Sequence, residues 1–326
     1  MNKKCPSVSI VIPCYNDEEY VGEAIRSALG QDYNSVEVIV IDDGSSDGSL
    51  NVIRSYDEYI TWRTGENRGA CHARNRGLDL ANSTFVKFLD ADDELHEEAV
   101  QSQIQQSVQA PQQNTIFFGD ARFVNPSARW DKKSRYRKKR KGESRVGYIM
   151  DVNPQTSMPL HRRLHLQKIG GFDESLPRSQ EYDLHIRLAV AGVTFCYRPA
   201  PVAKIRWHSG GSRITNQNFF ERNPRGRLQR IRKWRELIEE ENMLDDQVRQ
   251  ILARRAWAGG RIALRQGYLD VAKEYFSCAR NLHREPVAGA SGAYRSVVRL
   301  AGPRVAEHVA SWARELGLNR LVGDSD

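Results

Sequence analysis

The chain has 326 residues, 40% hydrophobic and 28% charged, with a formal charge of +8. That length admits one large α/β domain plus a smaller unit, and the balance of apolar and charged residues excludes global disorder. No apolar run approaches the length that crosses a bilayer, and five scattered cysteines without C-x-x-C or metal-type spacing point to reduced thiols in a cytosolic setting. The N-terminus leads into a strand without the basic-then-apolar pattern of a signal peptide, so the expected location is cytoplasmic, soluble or peripheral to the inner face of a membrane.

In chain order, residues 7–13 form a β-branched run that predicts a buried strand, and Cys14–Glu19 a turn leading into a helix over 18–30. A strand over 36–41, a turn at Asp42–Gly48, a helix over 48–56 and a short strand near 59–63 follow. Then come a helix over 69–80, a strand over 84–89, a helix over about 94–109 and a strand over 115–118. Alternation of strands and helices at these lengths implies parallel strands in a doubly wound sheet, with ligands beyond the carboxyl ends of the strands. Residues 126–148 are expected as a basic mobile loop, 160–208 as globular with a strand at 202–207, and everything from 216 as helical. Within that tail, 260–282 reads as a helical hairpin pivoting at Gly267, and 287–322 as weakly amphipathic and basic. The expected domains are 1–215, a mixed and mostly parallel α/β sheet flanked by helices, and a helical region over 216–326.

Two strands end in acids: Ile41-Asp42-Asp43-Gly44 and Phe88-Leu89-Asp90-Ala91-Asp92-Asp93. Clustered carboxylates repel one another, and the natural compensation is a hard divalent cation carrying a phosphorylated ligand. The formal charge is concentrated elsewhere. Residues 129–145 hold ten Lys and Arg against two acids, enough to account for all of it. That run reads first as a solvated loop on the acceptor side, second as attracted to an anionic membrane surface, and last as bound to nucleic acid.

Val8-Ser9-Ile10-Val11-Ile12-Pro13-Cys14-Tyr15-Asn16, Asp42-Asp43-Gly44-Ser45, Asn67-Arg68-Gly69 with Ala73-Arg74-Asn75, and Asp90-Ala91-Asp92-Asp93, in this order, resemble the family 2 glycosyltransferases. The resemblance covers roughly residues 6–210. It implies a GT-A (Rossmann-like) fold and an inverting enzyme that takes a sugar from a nucleotide-sugar donor, most commonly UDP-linked, to a glycan or lipid-linked acceptor. It further implies Mn²⁺ or Mg²⁺ held by Asp92 with Asp90, and by His208 where some relatives place a histidine. Pro13, Tyr15 and Asp43 would line the base and ribose pocket, and Asp42 is the weaker candidate there. Arg74 would either meet the diphosphate or brace Asp43 or Asp90, and both readings stay open.

The segment Ser179-Gln180-Glu181-Tyr182-Asp183 resembles the family's catalytic-base segment, which usually carries Asp where this chain has Glu181. The extra methylene moves the carboxylate by about 1.5 Å. Asp183 is expected to pair with Arg187 at i,i+4, and Asp93 to cap the helix after it. His72, His161, His165 and His185 show no ligand spacing and are read as structural. The Gln-x-x-Arg-Trp motif of the polymerising synthases is absent, which implies a non-processive enzyme of bacterial surface polysaccharide assembly. The rival readings are a non-catalytic sugar- or polyanion-binding module on the same fold and a nucleotidyltransferase. Against the latter, Pro13–Asn16 offers no Gly-rich triphosphate loop. Sequence leaves the oligomeric state open.

Overall fold

The computed structural model describes residues 6–110, 113–125, 130–134, 136–207, 219–284 and 291–315. The chain divides into two compact units, 1–217 and 218–326.

The first unit is built on two sheets. Strands β1 (Val8–Cys14), β2 (Val36–Asp42), β3 (Thr61–Thr64), β4 (Phe85–Phe88) and β8 (His161–Arg162) form a sheet of order β3-β2-β1-β4-β8. All its pairings are parallel except β4 with β8. Strands β5 (Glu94–Leu95), β6 (Thr115–Asn125), β7 (Trp130–Lys133) and β9 (Thr194–Arg206) form a second sheet of order β5-β9-β6-β7, in which β6 and β9 run parallel. Every residue of β1 and of β4 is buried, as expected for central strands covered on both faces.

Helices α1 (Val21–Leu29), α2 (Ser49–Arg54), α3 (Ala70–Leu80) and α4 (Ala99–Gln109) connect these strands, followed by α5 (Arg145–Val152), α6 (Arg163–Lys168) and α7 (Gln180–Val190). Helix α1 buries Val21, Ala24, Ile25 and Ala28, the spacing of one apolar stripe. Helix α3 lies close on β1 because Gly77 has no side chain: a Cβ there would stand 2.2 Å from Val11 Cγ1.

The second unit is helical: α8 (Phe219–Arg222), α9 (Gly226–Glu240), α10 (Asp246–Arg265), α11 (Leu269–Leu282) and α12 (Gly292–Glu315). Gly267, at φ +82°, turns α10 into α11. Gly259 and Gly260 admit the rings of Tyr275 and Phe276, and Trp257 meets Phe276 at 4.6 Å between centroids. Helix α12 is kinked at Gly302, just before Pro303. Among the described residues no helix is long and apolar enough to cross a membrane.

The structure differs from sequence expectation in two places. The helix expected from residue 94 begins at Ala99, because Glu94 and Leu95 are captured as an edge strand by Lys204 and Ala203 of β9. Asp93 therefore caps no helix. The segment 126–148, expected as a basic mobile loop, includes strand β7 and the start of α5 among its described residues, while 136–144 carry no strand or helix. Trp130–Lys133 pairs with Arg122–Asn125, Tyr136 packs edge-on against Phe118 at 5.5 Å, and Arg137 is ion-paired to Glu143 and Asp151. Ser144 Oγ accepts from Gly147 N and caps α5. Aromatic packing and two carboxylates offset part of the charge repulsion that a solvated loop would relieve by extending.

Candidate active site

The carboxyl ends of β1 and β2 are held together by backbone amides meeting side-chain oxygens. Asn16, in the left-handed region at φ 55°, accepts from Ser46 N through Oδ1 at 2.8 Å, and its own amide donates to Ser45 Oγ at 3.0 Å. Asp42 is buried. Its oxygens accept from Thr64 Oγ1 at 2.6 Å and Ser45 N at 3.2 Å, which makes it a loop fastener. Asp43 accepts from Arg68 N at 2.9 Å and Gly69 N at 2.8 Å, fixing the approach to the N-terminus of α3. Each Asp43 oxygen keeps one lone pair for a ligand. Pro13 is buried beside Ile41, whereas Tyr15 is 40% exposed.

The turn Asp90–Asp93 joins β4 of one sheet to β5 of the other. It closes with Asp93 N donating to Asp90 O at 3.0 Å. Asp93 is buried, accepting from Ser157 Oγ and from Arg206 N, both at 3.1 Å. Burial, then the charges of Asp92 and Asp90, push its carboxyl well above the usual carboxylate range. Asp93 thus pins the acidic turn to the end of β9.

Arg74, from α3, is buried and donates to Asp90 Oδ1 at 2.7 Å and to Gln180 Oε1 at 2.8 Å, with its guanidinium 5.3 Å from the Phe172 ring centroid. Burial alone would lower its pKa, but the charge and hydrogen bond of Asp90, with the charges of Cys71 and Glu181, hold it above the ordinary value. Of the two readings of Arg74, the brace on Asp90 is the contact seen. Glu181 follows Gln180 in the first turn of α7, half-buried, and its charge reaches both Arg74 and Tyr136. Asp90, Arg74, Gln180 and Glu181 therefore share one rim. Asp183 is instead buried and paired with Arg187 at 2.6 Å, as its spacing implied.

Three residues were missed by motif reading. Asp17, just past the end of β1, has its carboxyl pushed up to about 7 by burial and by the charges of Asp92 and Asp90. Its signal was an acid in the first strand-to-helix turn. Gln180 was signalled only by its place before Glu181. Ser157 carried no signal, because its partners are sixty-four and sixty-seven residues away in sequence. Of the four histidines read as structural, His161 and His185 are buried and stacked on each other at 6.0 Å, and His72 meets Glu174 at 3.1 Å. His208 lies outside the described residues.

Among the described residues no three His, Cys, Asp or Glu side chains are gathered to hold a metal ion. The rim nonetheless fits a divalent cation of the Mg²⁺ or Mn²⁺ type, which takes one or two carboxylates and completes its shell with water and phosphate oxygens. Burial, and then the charges of Asp92 and Asp90, raise the Asp17 carboxyl, and a cation at the acidic turn would act against that rise.

A GT-A glycosyltransferase fold is the class this architecture defines. Residues 1–349 of Staphylococcus aureus TarS, crystallised with UDP-GlcNAc, match with a TM-score of 0.70 at 17% identity, over 95% of this chain and 92% of that one. The family model described as glycosyl transferase family 2 matches residues 9–169. An uncharacterised glycosyltransferase of Rickettsia typhi is 31% identical over 242 residues, 68% of this chain and 70% of the relative. TuaG of Bacillus subtilis, named for teichuronic acid biosynthesis, is 32% identical over 105 residues, 31% of this chain and 41% of TuaG. The chain belongs to glycosyl transferase family 2. It spans 37%, 36% and 32% of the length of three further rickettsial relatives, also named as uncharacterised glycosyltransferases.

Proposed function

We infer that this chain is a metal-dependent, inverting glycosyltransferase that moves a sugar from a nucleotide-diphosphate donor to a hydroxyl of a glycan or lipid-linked acceptor. The observation that carries the reading is the bridge Asp90–Arg74–Gln180, which ties the acidic turn to the first turn of the helix bearing Glu181. A UDP-linked donor is supported by the TarS neighbour, which was crystallised with UDP-GlcNAc. Assembly of a bacterial surface polysaccharide is supported by the likeness to TuaG.

Pro13, Tyr15 and Asp43 receive the base and ribose, where Asp43 offers the lone pairs left by its two amide bonds. Asp92 and Asp90, with His208, would hold Mn²⁺ or Mg²⁺, and when bound the ion supplies Lewis-acid neutralisation of the departing diphosphate. Arg74 fixes the direction of the Asp90 carboxylate through their hydrogen bond. Glu181 takes the proton of the acceptor hydroxyl as its oxygen bonds to the anomeric carbon and the bond from that carbon to the diphosphate oxygen breaks. Attack opposite the leaving group inverts the centre. Nucleotide-sugar supply places the reaction in the cytoplasm, with the protein soluble or at the membrane's inner face.

The test is release of nucleoside diphosphate from a panel of nucleotide sugars with Mn²⁺ or Mg²⁺. One donor turned over, and silenced by EDTA, is the expected result. Neither turnover nor binding of any nucleotide sugar would leave the fold without this activity.

A further inference from the structure

Glu181 follows a segment, 169–179, that carries neither helix nor strand between α6 and α7. Gly170, Gly171 and Ser179 in it hold positive φ, at 74°, 66° and 60°. For Ser179, the residue just before α7, that conformation persists only where the surroundings over-determine it. Both ends of the segment are held by α7. Arg187 Nη1 donates to Ile169 O at 2.9 Å, and Gln180 Nε2 donates to Leu176 O at 3.0 Å while its Oε1 accepts from Arg74.

The middle is held from α3 by Asn75, the neighbour of Arg74. Its Nδ2 donates to Phe172 O at 2.9 Å and its Oδ1 accepts from Phe172 N at 2.8 Å, the paired exchange that two opposed strand residues make. Nδ2 also donates to Glu174 Oε1 at 3.0 Å, so both of its N–H donors are used. Gly171 makes the approach possible, because a Cβ there would stand 2.5 Å from Asn75 Oδ1. Phe172, gripped by its backbone, sets its ring edge-on to Phe88 of β4 at 5.0 Å and 5.3 Å from the Arg74 guanidinium. The segment is thereby registered against the strand that leads to Asp90 and against the arginine that braces Asp90.

We propose that Asn75 is a positioning residue for Glu181: by gripping Phe172 it fixes the segment that delivers the base to the acidic turn. The proposal rests on the glycosyltransferase reading and names a residue that acts through its base. Adjacent residues of one helix then serve the two sides of the reaction, Arg74 through Asp90 and Asn75 through Phe172. Displacing a reacting group by about 1 Å costs up to about 10²-fold in rate, so a segment of this irregularity needs a fixed point between its ends. A clamp that served the fold alone would change how much protein is folded and leave the rate per folded molecule unaltered.

The experiment takes the full chain, the nucleotide sugar it turns over and Mn²⁺, with water as the acceptor. Nucleoside diphosphate release is followed in the parent, Asn75→Ala, Glu181→Gln and the double variant, with enzyme raised in proportion for the slower proteins. In Asn75→Ala, kcat is expected to fall about 10- to 100-fold, while KM for the nucleotide sugar and stabilisation by UDP with Mn²⁺ stay level. Beside Glu181→Gln the same substitution should cost less than about twofold, because residues that act as a unit are not additive. Should Asn75→Ala not fold, Glu174→Ala supplies the answer from a side chain 39% exposed. Its kcat should fall by about threefold or more, and only where Glu181 is present. A kcat equal to the parent's, a loss undiminished beside Glu181→Gln, or a raised KM with kcat level would each overturn the positioning role. A parent that turns over no nucleotide sugar would overturn the glycosyltransferase reading itself, and the role with it.

Discussion

Arg74 Nη2 stands 2.7 Å from Asp90 Oδ1, in a pair whose arginine is 7% exposed and whose aspartate is 33% exposed. The arginine is thereby committed to the acidic turn on one side and to Gln180 on the other. An uncompensated buried guanidinium or an unbraced Asp90 would follow from breaking it.

Replacing Arg74 with Met keeps the length and apolar stem but removes both hydrogen bonds. Breaking a buried pair by deleting one partner costs about 3–5 kcal/mol; here part of that returns, because no charge stays buried on the arginine side and Asp90 is partly hydrated. A loss of about 2 kcal/mol in urea unfolding is expected, with weakened UDP stabilisation in the presence of Mn²⁺. Unaltered stability and unaltered nucleotide response would show the bridge to be incidental.

Glu181→Gln preserves size and hydrogen bonding but not basicity. Positioned acid–base groups contribute about 10²–10⁴ in rate, so turnover of the preferred donor and acceptor should fall by that order while nucleotide affinity stays level. Glu181→Asp, which draws the carboxylate back by about 1.5 Å, should retain more activity than Gln. Full turnover by the Gln variant would remove Glu181 from the chemistry.

Asp93 separates two structural outcomes. Ala would strand the Arg206 amide and the Ser157 hydroxyl in the interior, each unsatisfied group costing about 1–3 kcal/mol. Asn can accept from Arg206 N and donate to Ser157 Oγ, so Asp93→Asn should unfold within about 1 kcal/mol of the parent. Equal denaturation midpoints for Ala and Asn would refute the pinning role.

His185 is buried, with its pKa driven down to about 3 by desolvation. Its unfolded counterpart titrates near 6.5, so the unfolded chain binds this proton first as the pH drops. Stability from neutral His185 is complete above about 6.5 and is lost toward about 3, with a slope of about 1.4 kcal/mol per pH unit. His185→Phe, which keeps an aromatic ring beside Phe195 and His161, should flatten the stability–pH curve between pH 6 and 4 by about one proton. An unchanged slope would place the acid sensitivity elsewhere.

Local patterns made most of the first unit legible. The β-branched run of β1, the acids ending β2 and β4, and the apolar stripe of α1 each follow from neighbours a few residues apart. What escaped is long-range. Glu94-Leu95 looks helical until β9, about a hundred residues on, offers it an edge, and Asp93 looks like a cap until Ser157 and the Arg206 amide claim its oxygens. Within the basic segment, nothing local to Tyr136 signals that its ring packs against Phe118 and Tyr197. Asp17 stands in no motif, and its perturbation arises from its burial in the fold and then from the charges of Asp92 and Asp90.

The most direct test of the central claim is calorimetric titration of UDP into the parent chain, Asp92→Ala and Glu181→Gln, each with and without Mn²⁺. The parent and Glu181→Gln should bind UDP at least about tenfold more tightly with the metal, whereas Asp92→Ala should show no metal dependence. A parent indifferent to Mn²⁺, or an Asp92→Ala protein that still responds to it, would contradict the assignment of the acidic turn as the diphosphate's cation site.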